Sequence, residues 1–212
     1  LSQLKNIELK DETILVEAGT TLAKLARFCD ANNLYGLEFL SAIPGTVGGA
    51  LAMNAGAFGS EFWQYVSAVT TIDSAGALHK RTPSDFEIGY RQVKAKQQEE
   101  YFVSATLKPN TNSKKQHSKQ LLTQRNQSQP TGKASCGSVF KNPQGHFAAK
   151  LIEESQLKGF CIGGACVSNK HANFIINQNK ATATDIENLI THIQQTVKSN
   201  FDIALETEVK IV

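Results

Sequence analysis

The segment from residue 40 to residue 60, LSAIPGTVGGALAMNAGAFGS, constrains the fold of this chain more than any other part of its sequence. It contains no charged residue and consists mostly of glycine and other small residues. Glycines allow backbone N–H groups to approach a ligand closely, because no Cβ intervenes. The run matches neither GxGxxG after a strand nor GxxxxGK[ST], so neither the Rossmann nor the P-loop mechanism applies. Two alternatives remain open: a loop that cradles an anion such as a diphosphate, or a tightly packed turn without a ligand.

The overall composition is typical of a globular protein and excludes several function classes. The 212 residues, with 41% hydrophobic and 19% charged side chains, suit one large domain or two small ones. The net charge of +3 is too small to indicate a nucleic-acid surface. No run approaches the roughly 18 apolar residues of a membrane span, and the N-terminus lacks the pattern of a signal peptide. We therefore predict a cytoplasmic protein without a nucleic-acid, membrane or obligate protein partner.

The four cysteines do not form a metal-binding pattern. No two of them are spaced as a CxxC pair, and their spacing does not match that of zinc ligands: Cys29, Cys136, Cys161 and Cys166. A reduced cytosolic protein with free thiols and no metal site is the simpler interpretation.

Hydrophobic periodicity predicts mixed helices and strands in the first half of the chain. Thr13 to Ala18 is typical of a short strand, and the stretch from Val66 to Lys108 is strand-like with turns near Ser74 and Pro83. Between them, apolar residues recur at helical spacing, with Thr20 or Thr21 as the cap and Asn32 or Asn33 as the stop: Leu22, Leu25, Ala26 and Cys29.

A polar stretch predicts the domain boundary. Residues 109–133 form a linker with a possible short helix around Ser118 to Arg125, which separates a domain of residues 1–108 from one of residues 134–212. In the second domain we predict a helix around Leu151, a strand from Ala172 to Asn177, and a helix from Ile186 to Val197. A capping box at Thr184 and Glu187 is expected to begin that last helix. Alternation predicts a C-terminal strand with one apolar face: Ile203, Leu205, Thr207, Val209 and Ile211.

Three segments, in order, resemble the UDP-N-acetylenolpyruvoylglucosamine reductase family. GLEFLSAIPGTVGGALAMNAGAFG is similar to its flavin diphosphate loop, SCGSVFKNPQGHFAAKLIEESQLKGFCIGGACVSNKHANFIIN to its substrate domain, and LETEVKIV to its C-terminal strand. The resemblance implies an α+β fold: a partial FAD-binding domain of the vanillyl-alcohol oxidase type, followed by a C-terminal α+β substrate-binding domain. It also implies that the N-terminal part of the FAD domain precedes Leu1, so the natural chain is expected to be longer.

The resemblance implies a reaction with two cofactors, FAD and NADPH. NADPH reduces FAD, and flavin N5 then delivers hydride to the enolpyruvyl double bond of UDP-N-acetyl-3-O-(1-carboxyvinyl)-glucosamine. Addition of a proton at the neighbouring carbon gives UDP-N-acetylmuramate, a peptidoglycan precursor. The chemistry requires a cation near the substrate carboxylate, a proton donor to carbon, and a dry site at the flavin.

Three residues match the family's catalytic positions. Ser138, in GSVFKNP, matches the proton donor, although the residue type alone would indicate a turn serine. Glu208, in LETEV, matches the glutamate that polarises the intermediate; Glu206 lies on the same strand face, and periodicity does not choose between them. Arg91, in FEIGYRQ, offers a planar fork for the enolpyruvyl carboxylate, but Val93 stands where the family usually has serine.

Further residues match binding positions. The expected cofactor contacts are Ile43, Pro44, Gly45, Thr46, Gly48, Gly49, Asn54 and Gly56. The expected substrate contacts are Tyr90, Lys141, Asn142 and His171. Either Lys141 or Lys170 is expected to pair with the UDP diphosphate. The short stretch between Arg91 and Ser138 resembles the branch of the family without an inserted tyrosine loop, so substrate cover is expected from elsewhere, such as Lys108 to Lys133.

Three other functions compete with the reductase interpretation. A non-catalytic remnant would bind the UDP-sugar without flavin. A flavin oxidase of the same superfamily would act on another alcohol, but GSVFKNP and LETEV argue against it, since such oxidases need no proton donor at carbon. An RNA-binding module would use the lysine-rich stretch of residues 108–133, which contains no aromatic residue for base stacking.

Overall fold

The structure, a computed structural model, describes residues 3–110 and 118–211, apart from the side chains of residues 118 and 119. The chain forms two compact units, Leu1–Gln124 and Arg125–Val212. Part of the predicted linker, residues 111–117, lies outside the described residues. A helix at Ser118–Ser128 covers the short helix expected within this linker. Within the described ranges, no helix is both long and apolar enough to cross a membrane.

The first unit contains most of the strands. Its elements in chain order are β1 (Ile7–Lys10), β2 (Thr13–Glu17), α1 (Leu22–Ala31), α2 (Val47–Met53), β3 (Gly56–Ala57), β4 (Ser60–Glu61), β5 (Val66–Ile72), β6 (Leu78–Arg81), β7 (Phe86–Gly89), β8 (Gln92–Ala95) and β9 (Tyr101–Leu107). Five strands form one antiparallel sheet in the order β1-β2-β9-β5-β6. The pairs β3-β4 and β7-β8 form separate hairpins.

Helix α1 matches the sequence expectation. Its four predicted apolar positions are buried, and Thr21, rather than Thr20, is the cap, accepting a hydrogen bond from Lys24 N at 3.3 Å. The helix ends at Asn32, as expected. Its apolar face joins the core formed by Ile14 and Val16 of β2. Each such fully buried side chain contributes about 1.5–3 kcal/mol, so burial of this face stabilises the helix far more than its propensity does.

The glycine-rich run contains a helix, α2, where the sequence suggested only a loop or turn. Thr46 caps it by accepting from Gly49 N at 3.3 Å, and Val47, Ala50 and Leu51 are buried on one face. Burial of this face in the core offsets the poor helix propensity of two glycines. Gly48 also permits close packing, since a Cβ there would lie 3.1 Å from the Ala18 Cβ.

The second unit is a small sheet packed against two helices. Helix α3 (Ser118–Ser128) crosses the division between the units. It is followed by β10 (Ser135–Ser138), α4 (Ala148–Glu154), β11 (Cys161–Ile162), β12 (Ala165–Val167), β13 (Phe174–Asn177) and α5 (Ala183–Phe201). The strands are antiparallel in the order β10-β13-β12-β11. The core lies between this sheet and the buried faces of α4 and α5, which include Ile152 and Ile193.

Two predictions about the second unit were wrong in detail. Helix α5 begins earlier than expected, because Thr182 and Asp185 form the capping box in place of Thr184 and Glu187. The C-terminal segment is not a full strand. It pairs with the rest of the unit through an isolated bridge between Phe140 and Thr207 and adjacent backbone hydrogen bonds. One bridged residue on the partner segment is too short a ladder for a strand.

The prediction of four free thiols was wrong for two cysteines. Cys161 and Cys166 occupy facing positions of β11 and β12, with their Cα atoms 4.1 Å apart, and form a disulfide. The two-residue turn at Gly163 and Gly164 creates this alignment. Cys29 and Cys136 remain free, and burial raises the pKa of the Cys29 thiol to about 12. A glycine pair midway between two cysteines was the sequence signal for this disulfide.

Candidate active site

In the first unit, the glycine-rich segment exposes a turn immediately before α2. Pro44 and Gly45 are exposed, and Gly45 has φ +135°, a conformation that favours glycine. The N–H groups of Val47 and Gly48 donate to backbone oxygens of the first unit, and Gly49 N donates to Thr46 Oγ1. The N–H groups of Gly45 and Thr46 have no acceptor among the described residues. Of the predicted cofactor contacts, these two therefore keep backbone donors available for a diphosphate.

Asn54 is buried and bonded within the protein. It lies at the end of α2 in the left-handed region, with φ 42°, and is 1% exposed. Its Oδ1 accepts from Trp63 N at 3.2 Å, while Nδ2 donates to Glu61 Oε2 at 2.8 Å and to Gly89 O at 3.3 Å. These bonds make Asn54 a structural link between α2 and the β7-β8 hairpin. Its role as a cofactor contact stays a prediction.

The β7-β8 hairpin carries Arg91 at its tip. Tyr90 and Arg91 form the two-residue turn, and Arg91 has φ 54°, where glycine or asparagine is favoured. A left-handed arginine costs roughly 1–2 kcal/mol, and such strain is common at functional sites. Arg91 Nη2 donates to Gly56 O at 3.2 Å, and the guanidinium lies 5.3 Å from the centroid of the Tyr90 ring. The structure thus brings the predicted residues Arg91, Tyr90 and Gly56 together in one unit.

Val93 packs against the core of the first unit. The side chain that replaces the family's serine is therefore held by apolar contacts, and the hairpin does not depend on a hydroxyl at this position.

In the second unit, Ser138 and Glu208 lie on neighbouring segments. Ser138 ends β10 opposite Phe174, and a bulge at Gly137, with φ 86°, precedes it. Glu208 N donates to Val139 O at 2.8 Å, so the C-terminal segment runs beside the residue that follows Ser138. Both Ser138 and Glu208 are half-buried. Burial, together with the Glu208 carboxylate, raises the pKa of the Cys136 thiol, which lies near the same pair.

The structure distinguishes the two candidate glutamates. The Glu206 side chain is 73% exposed and forms a salt bridge of 2.5 Å with Lys141, whereas Glu208 is half-buried next to Ser138. Exposed ion pairs contribute about 0–1 kcal/mol, so breaking the bond between Lys141 and Glu206 costs little, and contact of Lys141 with a diphosphate stays a prediction. Lys170 donates to the backbone oxygen of Asn126. Glu208 therefore has the more protected environment of the two carboxylates.

Asn142 and His171 have local structural contacts. Asn142 Oδ1 accepts from Ala148 N at 3.0 Å, where α4 begins. The His171 ring packs edge-on against Phe174, and burial, aided by the Lys158 charge, lowers the pKa of the imidazole. The buried Nδ1 of His171 has no hydrogen-bond partner among the described residues. Substrate contact by either residue stays a prediction.

Sequence reasoning did not single out Asn173, which is buried beside the segment that carries Ser138. It is 4% exposed and hydrogen-bonds to both backbone groups of Phe140. The available signal was a polar residue within the otherwise apolar run ANFII.

Comparisons with known proteins agree across both units. The family model for the UDP-N-acetylenolpyruvoylglucosamine reductase C-terminal domain matches residues 129–212, and a FAD binding domain model matches residues 1–81. A UDP-N-acetylenolpyruvoylglucosamine reductase from Nitrosomonas eutropha is 49% identical over all of this chain and 67% of its own length. One from Legionella pneumophila is 51% identical over 96% of this chain and 67% of its own length. The chain thus spans about two thirds of these relatives.

A solved structure is also similar. The UDP-N-acetylenolpyruvylglucosamine reductase from Thermus caldophilus aligns with a TM-score of 0.78 at 33% identity, covering 92% of this chain and 71% of that one.

Proposed function

The chain belongs to the UDP-N-acetylenolpyruvoylglucosamine reductase family of FAD-dependent oxidoreductases, and from this premise we propose that it reduces UDP-N-acetyl-3-O-(1-carboxyvinyl)-glucosamine to UDP-N-acetylmuramate with electrons from NADPH. The observation that carries the proposal is the hydrogen bond from Glu208 N to Val139 O, which brings the glutamate segment alongside the serine segment. A proton donor and a carboxyl group on adjacent segments suit the addition of hydride and proton to one double bond.

The turn before α2 fits the diphosphate of FAD. Gly45 is exposed, a Cβ built there meets nothing within 4 Å, and the N–H groups of Gly45 and Thr46 lack acceptors among the described residues. Successive backbone N–H groups in such a turn bind anions. When bound, FAD supplies hydride to the substrate carbon. In this proposal, the turn holds the cofactor through the N–H groups of Gly45 and Thr46.

Arg91 is proposed to bind the carboxylate of the enolpyruvyl group. Its guanidinium can form two parallel hydrogen bonds with a carboxylate, and it stabilises negative charge that develops there during hydride arrival. The bond to Gly56 O and the Tyr90 ring orient the guanidinium before substrate binds. An oriented cation loses little rotamer freedom when the substrate arrives.

Ser138 is proposed to transfer a proton from Oγ to the carbon adjacent to the hydride acceptor. Glu208 is proposed to act as an acid that polarises the intermediate. Serine is a very weak acid, so the transfer requires donors that stabilise the resulting alkoxide. Lys141, on the same segment as Ser138, is the nearest candidate along the chain for that role.

The first test is an absorbance spectrum of the purified protein. Bound flavin that NADPH bleaches, and that the UDP-sugar then restores under anaerobic conditions, is the expected result. A colourless protein that still binds the UDP-sugar would overturn the proposal in favour of the non-catalytic binding alternative. Bleaching without restoration by the UDP-sugar would point to another oxidised substrate.

The second test is the Ser138→Ala substitution. We expect NADPH to reduce the flavin at the wild-type rate, whereas reoxidation by the UDP-sugar slows at least ~100-fold, as for loss of a positioned proton donor. Stopped-flow absorbance resolves the two half-reactions. Ser135→Ala is the matched control, because Ser135 lies on the same strand but is exposed. Equal slowing of both half-reactions would assign Ser138 a structural role.

A further inference from the structure

We infer that Asn173 is the positioning residue that sets the separation of Ser138 and Glu208, an inference that rests on the proposed function. Asn173 immediately precedes β13 and is buried. Its side chain contacts neither of the proposed catalytic side chains in the described hydrogen bonds. It acts instead on the backbone of the short segment between them.

The Asn173 amide forms a closed pair of hydrogen bonds with Phe140. Oδ1 accepts from Phe140 N at 2.9 Å, and Nδ2 donates to Phe140 O at 2.8 Å. The Asn173 backbone oxygen also accepts from Val139 N at 2.9 Å. Three hydrogen bonds from one residue therefore hold the two positions that follow Ser138.

These bonds occur where backbone pairing in the sheet ends. Strand β10 pairs with β13 only as far as Ser138 opposite Phe174. After Ser138, the Asn173 side chain takes the place of a neighbouring strand. Its amide has the same donor and acceptor groups as a peptide, and it forms hydrogen bonds with both the N–H and the carbonyl group of Phe140. Asn173 thus extends the sheet by one residue without extending β13.

The opposite side of the same segment holds the C-terminal residues. Val139 O accepts from Glu208 N at 2.8 Å, and Lys141 N donates to Glu206 O at 2.9 Å. The backbone groups of Phe140 are bonded to Asn173 instead of to the C-terminal residues. The segment after Ser138 is consequently clamped between Asn173 and the residues that flank Glu208, so a shift on one side moves Ser138 relative to Glu208.

The decisive variant is Asn173→Asp. An ionised carboxylate can accept from Phe140 N, but it presents an oxygen to the Phe140 carbonyl oxygen, and the two repel. When protonated, the carboxyl group donates to that oxygen and restores both bonds. Because burial raises the pKa of a carboxyl group by up to about 3–5 units, the carboxyl group becomes protonated as the pH is lowered from alkaline values towards and below neutrality.

The assay is stopped-flow flavin absorbance on the FAD-loaded holoenzyme, with the two half-reactions followed separately. At high pH we expect reoxidation by the UDP-sugar to slow roughly 10- to 100-fold, the usual effect of an ångström-scale misplacement. Flavin reduction by NADPH is expected to keep its wild-type rate. Lowering the pH should return the reoxidation rate of the variant towards that of the wild type.

The pH dependence is expressed as the ratio of the variant's reoxidation rate to the wild-type rate, because other ionisable groups lie nearby. Glu208, Lys141, Cys136 and His171 lie on the segments that pack around this position, and all are present in wild type and variant alike. The ratio of variant to wild-type rate at each pH therefore isolates residue 173. Asn177→Asp is the matched control: it adds the same charge to exposed Asn177 of β13, whose Oδ1 accepts from Ala181 N, as a carboxylate also can. It should leave both half-reactions unchanged at every pH.

A second variant separates positioning from loss of the fold. Asn173→Ser retains one hydroxyl that cannot reach both Phe140 groups, and we expect slow reoxidation that does not recover at low pH. Normal reoxidation in both variants, equal slowing of both half-reactions, or slowing of Asn173→Asp that persists at low pH would each overturn the inference. Failure of the wild-type holoenzyme to be reoxidised by the UDP-sugar would instead overturn the proposed function.

Discussion

The ion pair between Arg81 and Glu100 provides a quantitative test of what stabilises the first unit. The Arg81 and Glu100 side chains are 18% and 2% exposed, and their closest atoms, Nη2 and Oε1, are 2.5 Å apart. A second bond joins Arg81 Nε to Glu100 Oε2 at 3.1 Å, and the Thr71 hydroxyl donates to the same oxygen. Replacement by glutamine removes the charge with little change in shape, so Glu100→Gln is the informative substitution.

The magnitude follows from the pKa of Glu100. Hydrogen bonds from Arg81 lower this pKa from 4.5 to about 2, with burial opposing the shift and Thr71 assisting it. At 1.36 kcal/mol per pH unit, that depression corresponds to at most about 3.4 kcal/mol. Hydrogen bonds to charged groups typically contribute about 1.5–3 kcal/mol net, because solvent screens a pair near the surface. We therefore expect Glu100→Gln to lower the free energy of unfolding by about 1.5–3 kcal/mol at pH 7.

The pH dependence has a defined sign. Because the folded pKa lies below the unfolded one, the stabilisation is fully present above pH 4.5 and is lost as the pH falls towards about 2. The difference between wild type and variant should thus shrink at acid pH and fall below about half its neutral value near pH 3.

Tryptophan fluorescence during urea unfolding is a suitable assay. The chain has a single tryptophan, Trp63, which is buried in the core of the first unit and reports on that unit. Glu99→Gln is the matched control, since the neighbouring Glu99 is exposed. Similar losses in the two variants, or a difference for Glu100→Gln that does not change between pH 7 and pH 3, would refute the reasoning.

Two further predictions concern the link at Asn54 and the thiols. Asn54→Asp should destabilise the first unit by about 2–3 kcal/mol, because it removes two donor bonds and places a carboxylate beside Glu61; the same fluorescence assay measures this. Asn54→Gly is the control, because glycine adopts φ 42° without strain and this variant therefore loses only the side-chain amide. Equal stability of Asn54→Asp and wild type would contradict the prediction. For the thiols, a colorimetric reagent should count two in unfolded, unreduced protein and four after reduction, because Cys161 and Cys166 are paired. Four thiols before reduction would contradict the pairing.

The sequence predicted the elements whose local pattern agrees with their tertiary environment. Helix α1 was predictable in position, buried face and ends, because its apolar spacing and its capping residues indicate the same helix. The strand predicted from Ala172 to Asn177 was also found and ends at Asn177 as expected, but it begins two residues later, at Phe174. The start of α5 was misplaced by two residues, since two threonine-acid pairs compete there and only the backbone conformation at Thr182 selects one.

Other features depended on contacts between segments distant in sequence. The disulfide required the alignment of β11 with β12. The C-terminal segment formed one bridge, between Thr207 and Phe140, instead of the full strand that its alternation predicted. Period-two alternation describes which face a residue occupies, but it carries no information about how many partner residues a neighbouring segment offers.

The sequence by itself indicated the family and the candidate residues, because three segments resemble the family's motifs in the same order and Ser138 and Glu208 fall at matching positions within them. The motif match favoured Glu208 over Glu206, but only the tertiary structure showed that their environments differ, by joining the exposed Glu206 to Lys141. Only the tertiary structure placed the amide of Asn173 against Phe140. The physical reason is that burial and hydrogen-bond partnership are properties of a folded environment, assembled from segments that the order of residues does not bring together.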